Sequence, residues 1–321
     1  MNSWSEITKI RLPLPFPLKI INAYLLRGEY GYTVLDTGLH TADSIHVWEE
    51  AQRKMGWGWD DVEKIVLTHY HPDHYGLAGW MQAQSGAPVY LSRIDYEQAH
   101  NFVGAGSTFA QGLVKSYGEN GLSSQWVEQI PGHIEHFRPW VEPHPTPSFI
   151  AAGEMIRLGD RQYEIMHTPG HADGHLCFYD REREWLLAGD FLLPKITPNI
   201  SMWPGGHPNP LRLFMESLNK MKELPVQTVF PAHGTVFHSY RERIEELERH
   251  HRERLDHMKG ILSQSKGGMT AVECCFQHFG DRLSIHNLRF ALSETLAHLE
   301  YLRLADEISR KWIDDHYVYL A

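Results

Sequence analysis

The sequence predicts an α+β protein in two unequal parts, residues 1–238 and 239–321. Three observations lead there. Short apolar runs alternate with helical stretches throughout the first part. The order of hairpin, helix and strand occurs twice, over about residues 18–150 and 151–237, and each series delivers a histidine. Beyond about residue 239 the texture changes to a long charged helix followed by smaller elements.

Ile20–Leu26 and Tyr32–Leu35 are apolar runs separated by Gly28 and Gly31, an antiparallel pair. Thr41 stands at a cap position before a helix reaching Met55. Lys64–Thr68 reads as a buried strand, Asp73–Gln84 as a helix and Pro88–Leu91 as a further strand. From Tyr96 to His144, aromatic residues at helical spacing (Phe102, Phe109, Tyr117, Trp126, Phe137, Trp140) mark a helical insertion, either a cover over the site or an extra helical layer. Strands follow at Glu154–Leu158, Gln162–His167, Leu176–Tyr179 and Trp185–Ala188, then a helix over Pro210–Glu223 and a strand over Val226–Phe230. The second part reads as helices over Tyr240–Ser263, Thr270–Phe279 and Ile285–Arg303. A hairpin of Leu304–Ile308 with Lys311–Leu320, turning at Ser309 and Arg310, completes a winged-helix order.

Composition narrows the function classes. The 321 residues are 42% hydrophobic and 22% charged, an ordinary balance for a soluble globular chain. A net charge of -10 argues against nucleic acid as a partner. No apolar stretch reaches the length needed to span a bilayer. The N-terminal stretch carries Glu6, Pro13, Pro15 and Pro17 where a signal peptide needs a continuous apolar run, so a cytoplasmic location is expected. Cys177, Cys274 and Cys275 have neither zinc-knuckle nor redox spacing and read as reduced core residues.

Histidine is the exception, with 22 residues. The segment Thr68–Gly76 reads T-H-Y-H-P-D-H-Y-G and follows a buried strand. His69 and His71 lie two apart, on one side of an extended chain. Asp73 and His74 follow at a helix start, placed to serve a second ion. Further ligands are expected at other strand ends, and three candidates occupy them: His171 in T-P-G-H, Asp190 in L-L-A-G-D and His233 in V-F-P-A-H-G. Gly170, Gly189 and Gly234 let the backbone turn beside them. His175 reads as a supporting neighbour outside the site. His207 and the 191–209 loop read either as pocket lining, with Lys195 meeting an anionic substrate group, or as a structural loop, the second being preferred; His250, His251 and His257 read as solvated helix-face residues.

This set resembles that of the metallo-β-lactamase superfamily, over about residues 18–237. The resemblance implies a four-layer αββα sandwich with the ligands on loops at one edge. It implies that His69, His71 and His171 hold one metal, that Asp73, His74 and His233 hold a second, and that Asp190 bridges them. Asp36, in L-D-T-G, matches a carboxylate that sits behind the ligands and orients the metal-binding loop. Five imidazoles and two carboxylates suit two Zn²⁺ ions best, with iron and manganese also compatible. Two such ions make a bridging hydroxide available near neutral pH. The resemblance assigns Asp73 a catalytic part as well, positioning that hydroxide.

Three activities share the motif. Hydrolysis of a thioester, ester or lactone, as in glyoxalase II-like members, is favoured by the bridging Asp190 and the acidic chain. A phosphodiesterase or ribonuclease is suggested by the C-terminal module, which is similar to the tail of β-lactamase-like mitochondrial ribonucleases. A non-hydrolytic iron oxidoreductase or DNA-binding regulator is disfavoured by the complete second ligand set and by the weakly basic Ile285–Arg303. The expected partner is therefore a small-molecule substrate, with no membrane. The C-terminal module reads as a structural appendage, a homodimer contact or a wall of the substrate pocket.

Overall fold

The computed structural model describes residues 6–321; residues 1–5, the start of the stretch read for a signal peptide, lie outside them. Strands β1 (Ile7–Pro13), β2 (Ile20–Gly28) and β3 (Gly31–Leu35) form an antiparallel meander. Helix α1 (Ala42–Met55) is capped by Thr41, whose side chain accepts from the Ser44 amide, and ends at left-handed Gly56. Strand β4 (Val62–Val66) pairs parallel with β3. The helix expected over Asp73–Gln84 is split into α2 (Pro72–Tyr75) and α3 (Ala78–Ser85). The Leu77 amide donates to the Gly38 carbonyl instead of continuing the helical ladder, which accounts for the break.

Strand β5 (Val89–Leu91) leads into the insertion: α4 (Arg93–Val103), α5 (Phe109–Glu119), α6 (Ser124–Val127) and α7 (Ile130–Glu135). Then come β6 (Pro147–Phe149), β7 (Met155–Leu158), β8 (Arg161–His167), β9 (Leu176–Asp180), β10 (Trp185–Gly189), α8 (Pro210–Met221) and β11 (Thr228–Pro231). The remainder is α9 (Tyr240–Ser263), α10 (Ala271–Phe279), α11 (Ile285–Leu304) and the hairpin β12 (Ser309–Ile313) and β13 (His316–Leu320).

Among the described residues the first six strands make one sheet in sequence order and β7–β11 make a second. Side-chain alternation explains the layering. Leu26, Leu35 and Val66 of the first sheet share a core with Phe178, Leu187 and Phe230 of the second. Their immediate neighbours Leu25, Val34 and Ile65, and Cys177, Leu186 and Val229, point the other way into the core shared with the helices. Each sheet is therefore buried on both faces, and the four-layer sandwich follows from neighbouring apolar residues facing opposite ways. Among the described residues no helix is long and apolar enough to cross a membrane.

Two further expectations are corrected. The C-terminal hairpin turns at Asp314–Asp315, not at Ser309–Arg310; both aspartates adopt positive φ (48° and 63°), the conformation of a two-residue hairpin turn. His251 is buried, its ring 5.3 Å from that of His298, rather than solvated. Helix α11 is buried over most of its length, in agreement with the sequence, which disfavours a recognition helix there.

Candidate metal centre

The loops that carry the candidate ligands leave the sheets at one edge. Strands β8 and β10 both run antiparallel to β9, so their C-terminal ends share an edge, and β11 pairs parallel with β10. Thr68 ties this edge to the first sheet: its carbonyl accepts from the Leu176 amide at 2.8 Å, and its amide donates to Asp36 Oδ1 at 2.8 Å. The loop after β11 is fastened by Asn22, whose side chain donates to the carbonyls of Pro231 and Gly234, each at 3.0 Å. Gly189 has φ 51°, and a Cβ there would lie 2.8 Å from His175 Nε2 and 2.9 Å from Thr68 Cβ, so the turn into Asp190 requires glycine.

All seven predicted ligand residues meet at this edge. His69, His71 and His171 form one group, Asp73, His74 and His233 another, and within each the potential ligand atoms lie within 4.8 Å of one another. Asp190 stands between them. Its Oδ2 is 3.3 Å from His171 Nε2 and 3.5 Å from His74 Nε2, and its Oδ1 is 3.4 Å from His233 Nε2. Asp73 Oδ2 is 3.4 Å from His233 Nε2 and 3.8 Å from His74 Nε2.

The rings are aimed from behind. Asp36 Oδ2 is 2.8 Å from His74 Nδ1, and its two oxygens also accept from the Thr68 hydroxyl at 3.1 and 2.9 Å. With that hydroxyl proton directed to Asp36, Thr68 Oγ1 accepts from His69 Nδ1 at 3.0 Å. His171 Nδ1 donates to the Asn199 carbonyl at 2.8 Å, and His233 Nδ1 donates to the Ile20 carbonyl at 2.9 Å. In each of these four residues the outer nitrogen carries the proton, which turns Nε2 inward as the donor atom. His71 presents Nδ1 instead, 3.0 Å from His69 Nε2 and 2.9 Å from His171 Nε2.

Charge and burial describe a cation site. His69 and His71 are pushed well below the usual imidazole range by burial and by neighbouring rings, so they remain neutral donors. Burial opposes the charging of His74, yet Asp36, Asp190 and Asp73 hold it well above that range. His233 is likewise opposed by burial and raised to about 10 by Asp190 and Asp73. Burial also works against the two carboxylates, but His74 and His233 bring Asp73 below its ordinary value and Asp190 well below. His74 Nε2, His233 Nε2 and Asp190 Oδ1 are buried with no hydrogen-bond partner. Buried polar atoms of this kind are costly unless something binds them, and the donor set fits a pair of divalent cations.

His175, which the sequence left outside the set, is fully buried and holds it from behind. Its Nδ1 meets Thr168 Oγ1 at 2.9 Å, and its Nε2 accepts from the Asp190 amide at 3.2 Å. Of the two readings of the 191–209 loop, the pocket-lining one holds: it walls the cavity over the ligands with Leu193, Ile196, Pro198 and Trp203. Lys195 is exposed and is not part of that wall. The cavity, about 330 Å³, is also lined by Leu14, Phe16 and Leu18 between β1 and β2, by Phe102, Phe109 and Phe137 of the insertion and by His286, Arg289 and Phe290 of α11. The insertion and the C-terminal helices are thus both pocket walls. Arg289 and the two backbone acceptors on His171 and His233 escaped sequence reasoning: a carbonyl acceptor has no residue signature, and nothing in the sequence sets Arg289 apart from Arg303 of the same helix.

The description of metallo-beta-lactamase superfamily proteins matches residues 17–233, and that of a metallo-beta-lactamase-like C-terminal domain matches residues 258–319. A metallo-beta-lactamase family protein from Thermus thermophilus has a similar structure, with 34% identity, a TM-score of 0.86 and 98% of each chain covered. The probable metallo-hydrolase YqjP of Bacillus subtilis is 26% identical, across 96% of this chain and 95% of its own. The human acyl-coenzyme A thioesterase MBLAC2 is 27% identical over 53% of this chain and 57% of its own.

Proposed function

Because the chain belongs to the metallo-beta-lactamase superfamily, we propose that it is a two-metal hydrolase acting on a carbonyl substrate, a thioester, ester or lactone. The observation that carries this reading is the position of Asp190, within 3.5 Å of ring nitrogens from both ligand groups, at the floor of an apolar cavity. His69, His71 and His171 would hold one ion and Asp73, His74 and His233 the other, with Asp190 shared. Ions so held would supply Lewis acidity toward the scissile carbonyl and hydroxide as nucleophile near neutral pH.

The protein's own residues do the rest. Asp73 would accept a hydrogen bond from the attacking oxygen and fix its direction, in addition to serving as a ligand. Asp36, Thr68 and His175 hold the ligands in register, so little reorganisation accompanies reaction. The aromatic walls exclude bulk water and bind the apolar part of a substrate. Acyl transfer is favoured over phosphodiester cleavage by the lining: apart from the ligands, Arg289 is the only charged side chain on it among the described residues, whereas a polynucleotide needs a cationic track. The thioesterase activity in the name of the human relative points the same way. Zinc suits the nitrogen-rich first group best, and a soluble cytoplasmic setting suits the reduced cysteines.

Metal analysis of the purified protein together with a panel of thioesters, lactones and phosphodiesters tests this. About two metals per chain and turnover of a carbonyl substrate are expected, abolished in His69→Ala and Asp190→Ala. Turnover confined to phosphodiesters would replace the proposal.

A further inference from the structure

Arg289 is the unusual group in the cavity. It is 5% exposed and faces no carboxylate among the described residues. Glu294 and Glu300 lie on the same helix but are engaged elsewhere, by Arg254 and Asn199, and by Arg303, Arg310 and Tyr319, respectively. A buried, unpaired guanidinium is expensive. Three aromatic faces offset part of that cost, those of Phe290, Trp203 and Phe137, with centroids 4.2, 5.1 and 5.3 Å from the guanidinium carbon. A ring face balances charge without accepting the N–H groups along the edge of the fork, and Arg289 Nε has no hydrogen-bond partner. Burial also lowers its pKa, to about 10, which leaves it charged at neutral pH.

The surroundings favour a negative guest. Helix α11 begins at this cavity: Ser284 caps it, and His286 and Asn287, in its first turn, line the wall beside Arg289. The positive end of the helix therefore lies near the same space. His286 is held neutral, lowered to about 4 by burial and by Arg289 itself, so it adds no competing cation. The acidic side chains of the lining, Asp73 and Asp190, belong to the ligand cluster.

We infer that the substrate carries, besides its scissile carbonyl, an apolar segment and one anionic oxyacid group, a carboxylate or a phosphate, that Arg289 receives as a bidentate partner. The inference rests on the hydrolase reading for the carbonyl, but the anion site can be tested separately. Arg289 supplies two parallel N–H donors, a geometry suited to either anion. A cavity of about 330 Å³ is at the small end of ligand pockets, so the buried portion is compact: a short chain or a single ring. The aromatic faces flanking the cation would cover that segment while its charge is neutralised. Arg289 is in this reading a specificity residue.

Three probes decide the matter on the full-length, metal-loaded protein: 4-phenylbutanoate, 3-phenylpropyl phosphate and the neutral 4-phenylbutanamide, with Kd measured by calorimetry. At least one anion should bind tenfold or more tightly than the amide, and the anion that does so identifies the source. In Arg289→Gln the ratio should fall to within about twofold, and in Arg289→Lys to an intermediate value. A crystal structure with the preferred probe, which needs no variant to fold, should place its anion against the guanidinium. Equal binding of all three probes, an unchanged ratio in Arg289→Gln, or an anion seated away from Arg289 would overturn the inference. Failure of the hydrolase reading looks different: no carbonyl substrate turns over, while the binding ratios still report on Arg289.

Discussion

His171 Nδ1 lies 2.8 Å from the backbone carbonyl of Asn199, and this bond links the candidate metal centre to the C-terminal helices. The side-chain amide of Asn199 donates to Glu294 on α11 at 2.8 Å, and Glu294 is in turn gripped by Arg254 of α9. The ring angle of one ligand is thus set by residues roughly a hundred positions away in sequence. Asn199→Ala keeps the carbonyl and releases its anchor. Competition with a chelator should show about tenfold weaker metal retention, in the range found when groups behind a ligand are lost. Unchanged retention would mean that the loop holds its carbonyl without help.

Asp36 tests the other half of the centre. It sits at φ 59° and binds both Thr68 and His74, so Asn, which tolerates left-handed backbone, is the replacement that removes charge with least strain. Without the carboxylate, His74 loses the partner that fixes its ring and turns Nε2 inward as the donor atom. Elemental analysis of Asp36→Asn should show the metal content falling from about two toward one per chain, with the His69, His71 and His171 group retained. A full complement would assign Asp36 to folding alone.

The charge pattern predicts proton release. Without ions, His74 is protonated well above the usual imidazole range and His233 up to about 10, both by the surrounding carboxylates. A metal must displace those protons, so its affinity rises with pH over about 6 to 9, with about two protons released per chain from these rings at neutral pH and about one more from the water that becomes hydroxide. Calorimetry in buffers of different ionisation enthalpy counts them. The sign for stability is the reverse. A group whose pKa is raised on folding stabilises the fold fully below its unfolded value near 6.5, and that contribution is lost as pH climbs through about 10. Chelator-treated protein should accordingly lose Tm over that window, and loaded protein should lose much less.

What was readable in the sequence depended on whether the signal was local. His69, His71, Asp73 and His74 sit in one nonapeptide, and His171, Asp190 and His233 each follow a strand within a few residues, so pattern and chain direction were sufficient to group them. Asn199 could not be read in the same way, because its carbonyl, not its side chain, contacts the ligand. His251 sits in a highly charged helix but falls on its buried stripe with Ile244, Leu247, Leu255 and Met258, a helical spacing present in the sequence, and it packs there against Phe214 and His298. The hairpin register is legible in the sequence: Asp314–Asp315 between alternating residues is a two-residue turn signal, whereas Leu304, read as the start of the first strand, ends α11.

Arg243 offers a way to separate the pocket from the metals. This α9 residue is nearly buried, and its guanidinium donates to the carbonyls of Leu193 at 2.6 Å and Ile196 at 2.8 Å, both in the loop that walls the cavity. It touches no metal ligand. Arg243→Ala leaves two carbonyls without their donor, which costs roughly 1–3 kcal/mol each where water cannot replace it. The loop therefore loosens at its apolar end, while the Asn199 anchor to Glu294 remains. Steady-state kinetics on whichever carbonyl substrate is turned over should show KM rising about tenfold with kcat changed much less, alongside a lower Tm and a full metal complement. A loss of metal in this variant would mean that the loop behaves as one rigid piece, with its apolar end and its His171 contact inseparable.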